Sequence, residues 1–358
     1  MQVLQVCAYN ADYSGNFIAS LEALENKLAE RNIQVIYAFT ELAKEKEWCK
    51  NIQKRTRVYF LPLAKARILP KTYQMLKQIY DENDIGIVHS HFELYDMPAA
   101  LMAPKYVKVF WHLHDTLDSV HGLRKLLWKL QYGVVGKRAH LLSVADYYRK
   151  VAINMGFPEK QTHTVLNGIN LDRIKYAEDI DDKICKYDFL TFGWDFYRKG
   201  ADLILKACDK LEEKGYSFKL LLNGNENTWT ELDRYLQGRE PSYLIKGDPV
   251  EDVNGLFAQS GMFIQASRRE TFSYAVCEAA YFGLPVISSD IAGLEWAHDL
   301  PTVSFFNNED IDALCQLMEN YLKGESDFMK ARLDTRQIIT ERYSLKVWAE
   351  NILHYYGI

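Results

Sequence analysis

The chain has 358 residues, of which 48% are hydrophobic and 25% charged, and its formal net charge is -5. This is an ordinary globular composition at a length that suits two domains, and it gives no global case for nucleic acid. No apolar run reaches the roughly 18 residues needed to span a bilayer, and six scattered cysteines read as reduced thiols in a cytoplasmic protein.

The N-terminal segment, Met1-Gln2-Val3-Leu4-Gln5-Val6-Cys7, reads as a strand and lacks the basic leader and long apolar core of a signal peptide. Strand 3–8 is followed by a turn containing Gly15 and a helix over about 18–31, then by strand 34–39. Further apolar strands are expected at 57–61, 85–89 and 107–113, and 141–144 closes the first half. The second half repeats the plan, with strands at 189–193, 218–223, 242–245, 262–265, 285–289 and 302–305. Helices fall between them, including 202–214 and 253–259. Such alternation predicts an α/β protein with mostly parallel sheets and helices on both faces. The boundary is expected near Val165-Leu166-Asn167-Gly168-Ile169. No Gly-x-Gly-x-x-Gly occurs, which argues against a dinucleotide oxidoreductase.

The most informative stretch runs from Ser267 to Val286. It reads as strand, acidic turn, helix, strand. Glu270 lies in the turn, Thr271 or Ser273 can cap the helix, and Gly283 and Pro285 stop it. A helix start offers unpaired N–H groups and a partial positive charge, which suit a phosphate. Glu270 and Glu278 bracket that start, and carboxylates accept from sugar hydroxyls. A second loop, Gly193 to Gly200, carries the adjacent cations Arg198 and Lys199 at the end of a strand, where a diphosphate can bind.

Two histidine pairs, His89/His91 and His112/His114, end apolar strands, each pair sharing one face. They suit either a metal site with Asp115 or satisfied structural positions. A basic segment, 124–138, carries Arg124, Lys125, Lys129 and Trp128 on an amphipathic pattern. It reads either as a core-facing helix with a basic outer face or as a helix that lies on an anionic bilayer with Trp128 embedded.

The pattern Glu270, seven residues, Glu278, then Gly283-Leu284-Pro285-Val286, resembles the donor-site signature of retaining glycosyltransferases of the GT-B fold, in particular glycosyltransferase family four. The resemblance implies two Rossmann-like domains facing an interdomain cleft. Residues 1–165 would hold the acceptor and 166–342 the nucleotide sugar, with a C-terminal helix within 343–358 packing back on the first domain. It implies that Glu270 sits beside the donor sugar, that Glu278 holds the ribose, and that Arg198 and Lys199 bind the diphosphate. Thr271, Phe272 and Ser273 would present the helix start, Gly15 would let the backbone approach the phosphates, and His114 would stand at the mouth of the acceptor side. Trp194 stands where the common pattern has Arg. Asn167-Gly168-Ile169-Asn170 resembles the family's junction, with Asn170 for the usual Asp and Gly168 expected to supply an unusual backbone angle.

The implied reaction is retaining transfer from a nucleoside diphosphate sugar, with a UDP-sugar expected, to a saccharide or lipid-linked acceptor in cell-surface polysaccharide or glycolipid synthesis. Lys199 and Glu270 would act at the reacting centre, with His114 at the incoming hydroxyl, and no metal or other cofactor is expected. The expected place is the cytoplasm, peripheral on the inner face of the membrane, with an anionic surface as partner. Three alternatives stand beside this: a GT-B sugar-nucleotide epimerase, a non-catalytic GT-B partner subunit, and a metal hydrolase built on the histidine pairs.

Overall fold

The computed structural model describes residues 1–117, 122–175, 185–324 and 329–358. They form two compact units, Met1–Gly168 with Leu345–Ile358, and Ile169–Ser344.

The first unit is built on seven parallel strands: β1 Gln2–Cys7, β2 Gln34–Thr40, β3 Val58–Leu61, β4 Ile85–His91, β5 Lys108–Leu113, β6 His140–Ser143 and β7 Thr162–Thr164, in the order β3-β2-β1-β4-β5-β6-β7. The second has six: β8 Tyr187–Phe192, β9 Leu220–Asn223, β10 Leu244–Gly247, β11 Ser260–Gln265, β12 Val286–Asp290 and β13 Val303–Asn307, in the order β10-β9-β8-β11-β12-β13, again all parallel. Both are Rossmann-like α/β units. The central strands are almost continuously buried, because helices cover both faces of a parallel sheet. In each unit the strand order reverses once, between β1 and β4 and between β8 and β11. Open parallel sheets bind ligands beyond the carboxyl ends of the strands at that reversal.

Strand β7 extends the first sheet past the strand that the sequence suggests as its last. Its residues Thr162, His163 and Thr164 are polar, so no apolar run announces it. The last helix, Leu345–Tyr356, belongs to the first unit, where Trp348, Ala349, Ile352, Leu353 and Tyr356 are buried with residues of helix Gly15–Ala29 and of β1, β2 and β5. Gly168 does not adopt the left-handed backbone expected of it. The chain there runs extended, with Ile169 N–H donating to Tyr343 O at 2.7 Å and Ile169 bridging to Ser344.

Helix Gly122–Val134 follows the core-facing one of its two readings and not the one that embeds Trp128 in a bilayer, but its outer face also carries leucines. Trp128 is only 3% exposed, packs against Tyr132, and receives the guanidinium of Arg67 over its ring at 4.9 Å, so it is a core residue. The surface is instead made by Leu126, Leu127, Leu130 and Val134, with Lys125 and Lys129 also exposed. A helix can turn one stripe inward only, and the largest side chain takes it. The side chain of Arg124 lies outside the described residues. Among the described residues no helix is long and apolar enough to cross a membrane.

Candidate functional site

The reversal point of the second unit gathers most of the residues singled out by sequence. The loop after β8 carries Lys199, and the turn after β11 carries Glu270. Lys199 Nζ lies 2.5 Å from Glu270 Oε1, and Arg198 reaches the same oxygen at 3.5 Å. Gln265 Nε2 at 3.1 Å and Ser267 Oγ at 3.0 Å also donate to it. One carboxylate thus takes two cations and two neutral donors while 9% exposed. Burial of a carboxylate is tolerated only with such compensation.

The two loops are locked together. Arg268 N–H donates to Arg198 O at 2.8 Å, and the Arg268 guanidinium grips Asp202 through both oxygens at 2.8 and 2.9 Å. Arg198 Nε in turn donates to Asp195 at 2.6 Å. Gly200 has φ +71, and an added Cβ would lie 1.8 Å from Ala266 O, so only glycine lets the cation loop touch the strand that leads to Glu270. Gly293 does the same from the other side, since its Cβ would fall 1.9 Å from Glu270 O.

Helix Tyr274–Phe282 starts at Ser273. Neither Thr271 nor Ser273 caps it. Ser273 sits at φ +60 and ψ 90, outside the extended region from which a cap hydroxyl reaches the second or third amide. Its Oγ is buried and has no partner among the described residues. A non-glycine residue in this strained region costs about 1–3 kcal/mol and marks ligand-facing turns. Among the described residues nothing accepts from the backbone N–H groups of Thr271, Phe272 and Ser273. The Phe272 ring is stacked on Trp296 at 4.5 Å, and Trp296 Nε1 donates to Phe272 O at 2.7 Å, so Phe272 can serve a ligand only through its N–H. Glu278 is buried on the same helix, 3.7 Å from the Arg173 guanidinium.

Gln265, Ser267, Arg173 and Gly293 escaped sequence reasoning. The polar pair at the end of the otherwise apolar β11 is the signal that could have found Gln265 and Ser267. Arg173 and Gly293 come from distant segments and carry no local mark.

In the first unit, Gly15 follows β1 with φ +56 and opens helix Gly15–Ala29. The four histidines lie side by side, His89 and His91 on β4, His112 on β5 and His114 just past its end, with neighbouring ring centroids 4.2–5.3 Å apart. Burial keeps all four neutral: His89 and His114 are pushed down to about 3, and His91 and His112 well below the usual range, helped by the neighbouring imidazoles. Nearby, burial lifts Asp96 to about 7 against the hydrogen bond from Ser90. His89, His91 and His112 each bring a ring nitrogen within 4.8 Å of the others, the reach of a metal site. Their planes, however, are stacked, 4° apart for His89 and His112 and 28° for His91 and His112. Rings turned face to face do not converge on one tetrahedral ion.

Residues 19–173 match the family described as Glycosyltransferase Family 4, and residues 186–323 match Glycosyl transferases group 1. The chain belongs to the group 1 glycosyltransferases. Its fold is GT-B, and it overlays on HepE of Anabaena, solved with UDP and glucose, with a TM-score of 0.80 at 13% identity, covering 100% of this chain and 99% of that one. Among curated relatives, a 41.2 kDa protein of unassigned role from the cps region of Klebsiella pneumoniae is 22% identical over 68% of this glycosyltransferase and 70% of the relative. The capsular polysaccharide biosynthesis glycosyltransferase CapM of Staphylococcus aureus is 21% identical over 70% of each chain.

Two expectations follow from these geometries. Histidines whose folded pKa is lowered bind fewer protons than in the unfolded chain, so their contribution is present above about pH 6.5 and is lost as pH falls below it. Asp96, raised to about 7, acts oppositely: its contribution is present below about pH 4 and lost as pH rises through 7. Four bases outweigh one acid, so stability should fall from pH 6.5 to 5 by about 1.4 kcal/mol per pH unit for each net proton. Urea unfolding of the first unit, followed across that range, checks this; a flat or rising stability on acidification contradicts it. Gly200→Ala should lower the melting temperature of this glycosyltransferase far more than Gly215→Ala. Gly215 also has positive φ, +87, but its added Cβ meets nothing within 4 Å and should cost only about 1 kcal/mol.

Proposed function

We propose that the chain is a retaining glycosyltransferase that moves a sugar from a nucleoside diphosphate sugar, a UDP-sugar in the first instance, to a saccharide or lipid-linked acceptor of cell-surface polysaccharide or glycolipid synthesis. The observation that carries this reading is the meeting of Lys199, Arg198 and Glu270 beside the strained, uncapped start of helix Tyr274–Phe282. The UDP held by HepE and the capsular role of CapM support the donor and the acceptor class.

In this reading the donor diphosphate lies against the free N–H groups of Thr271, Phe272 and Ser273, with Lys199 and Arg198 on its flank. Charge that grows on the leaving phosphate is met by groups already in place, which is where electrostatic catalysis is most effective. Glu270 turns its carboxylate to the donor sugar and, held by four donors, needs no reorganisation to stabilise positive character on the ring. Glu278 accepts from the ribose hydroxyls. The leaving phosphate itself takes the acceptor proton on the front face. The cations and the helix start supply the neutralisation for which other enzymes use a divalent ion, so the reaction proceeds without one.

The acceptor side belongs to the first unit, with Gly15 and His114 at the carboxyl ends of β1 and β5. Elsewhere on this unit, a groove of about 470 Å³ along helix Gly122–Val134 is lined by Ile68, Leu127, Leu130 and Val134. With Lys125 and Lys129 beside it, this face suits an anionic bilayer. Each cation near such a surface contributes about 1 kcal/mol, and each inserted leucine adds apolar burial. The protein then works at the inner face of the membrane.

A thermal-shift panel of UDP-, GDP-, ADP- and dTDP-sugars should identify the donor by the stabilisation that binding confers. With that donor, Glu270→Ala should reduce turnover about a hundredfold, a loss of roughly 2.7 kcal/mol of transition-state stabilisation, with the fold intact. Glu278→Ala should chiefly weaken donor binding, and activity should persist in EDTA. Unchanged kinetics in both variants, or activity that returns only with a divalent ion, contradicts the assignment. Vesicle sedimentation should show binding that needs anionic lipid, weakens with salt, and disappears in a Leu127→Asp, Leu130→Asp double variant. Equal binding to neutral and anionic vesicles, or none to either, contradicts the membrane face.

A further inference from the structure

The turn that leads into helix Tyr274–Phe282 is held in a conformation its own sequence resists. Ser273 stands at φ +60 and ψ 90. That ψ lies beyond the small left-handed region open to residues with a Cβ, whereas glycine reaches such angles without a clash. The turn cannot relax, because it is pinned from outside. Trp296 Nε1 donates to Phe272 O at 2.7 Å, and the Tyr343 hydroxyl donates to Trp296 O at 3.1 Å. Gly293, having no side chain, lets its segment pass against Glu270 O. Even the first bond of the helix, from Cys277 N–H to Ser273 O, is stretched to 3.5 Å.

The serine hydroxyl gives nothing back within the chain. Ser273 is 8% exposed, its Oγ does not cap the helix, and that oxygen has no partner among the described residues. Two penalties therefore fall on one residue: a strained backbone and a buried polar group left unsatisfied. Alanine would remove the second and glycine both. Rules of local structure are broken in this way where a ligand restores the balance. The groups around the hydroxyl say which ligand. The N–H groups of Thr271, Phe272 and Ser273 point to no acceptor among the described residues, and Glu270 draws Lys199 and Arg198 to the same turn. A set made of donors and cations is satisfied by an anion rich in acceptor oxygens. A sugar hydroxyl, which brings a proton of its own, fits that set less well.

We propose that the side chain of Ser273, and not only its backbone, is a phosphate ligand: Oγ–H donates to a diphosphate oxygen of the donor, and the strained turn is what places that hydroxyl there. The chain thus holds stability in reserve at this residue, and the ligand releases it. A hydrogen bond to an anionic oxygen strengthens as charge passes to the leaving phosphate, so it acts on turnover as well as on binding. That the phosphate belongs to a sugar nucleotide rests on the glycosyl-transfer reading, whereas the reserved hydroxyl does not.

Three full-length proteins test this: the wild type, Ser273→Ala and Ser273→Gly. Without ligand, both variants should melt at or above the wild-type temperature, the first because the orphaned hydroxyl is gone and the second because the strain goes with it. UDP and inorganic pyrophosphate should then stabilise the wild type more than either variant. Titration calorimetry should give dissociation constants about tenfold weaker in both variants, the loss of one hydrogen bond to a charged group, and kcat should fall by about as much. Uridine, which has no phosphate, should behave alike in all three. A lower melting temperature for ligand-free Ser273→Ala shows the hydroxyl to be bonded within the chain and overturns the proposal. Equal UDP affinities in the three proteins overturn it too, as does a loss as large for uridine as for UDP. A loss seen with a UDP-sugar but not with UDP or pyrophosphate puts the hydroxyl on the sugar and likewise overturns it. Serine-dependent binding of UDP with no transfer to any acceptor upholds the phosphate contact and overturns the glycosyl-transfer reading. Transfer with the same UDP affinity in all three proteins does the reverse.

Discussion

A single oxygen, Glu270 Oε1, is the point on which the arrangement of the second unit depends. It takes Lys199, Arg198, Gln265 and Ser267 together. Those four donors come from the loop after β8 and from the end of β11 with the turn that follows it, segments distant in sequence and adjacent in space because β8 and β11 are neighbours. The ion pair is mostly buried, so its energy is the difference between a large attraction and a large desolvation cost. Such a pair adds little net stability, but it fixes geometry: neither loop can move without stranding a charge. The glycines at 200 and 293 permit the approach, and Arg268 seals it through Asp202.

Both units use the same construction. A parallel sheet whose order reverses leaves two loops diverging beyond the strand ends, and the chain fills that space with polar groups. In the second unit these are cations, a carboxylate and an uncapped helix start. In the first they are neutral imidazoles with the Gln5 amide and the Tyr356 phenol behind them. One unit therefore sets charged groups at its strand ends, and the other sets neutral ones there. That division of chemistry follows from the side chains alone.

Much of the framework was legible in the sequence. Twelve of the thirteen described strands announce themselves as largely apolar runs, since a strand buried on both faces needs them. The exception, Thr162–Thr164, lies at the sheet edge, where polar residues suffice. Glu270, Lys199 and Arg198 stood out because their motifs, in a strand–turn–helix context, resemble the family's donor signature, and the structure brings them together. The orientation of helix Gly122–Val134 was not legible: its pattern allows either Trp128 or the leucines to face inward, and only the volume beside Tyr132 and Arg67 decides. Nor could Gly168 be read, because Asn-Gly suits a left-handed turn and the extended pairing of Ile169 with Ser344 is set by residues far along the chain. The hydrogen-bonded side chains of Gln5 and Tyr356 are separated by 351 residues, so nothing local could join them.

The C-terminal helix carries a consequence for how the molecule is made. The first sheet is covered on one side by residues 345–356, yet the whole second unit is encoded between them and β7. As the chain emerges from the ribosome, the second unit holds the whole of its own chain before the first receives its last helix. The apolar side chains that meet Trp348, Ile352 and Leu353, among them Phe110 and Leu142, stay open to water until synthesis is almost over. The half that is translated first is thus the half that finishes folding last. Its exposed flank during that interval is where chaperones, or errant neighbours, have their opportunity.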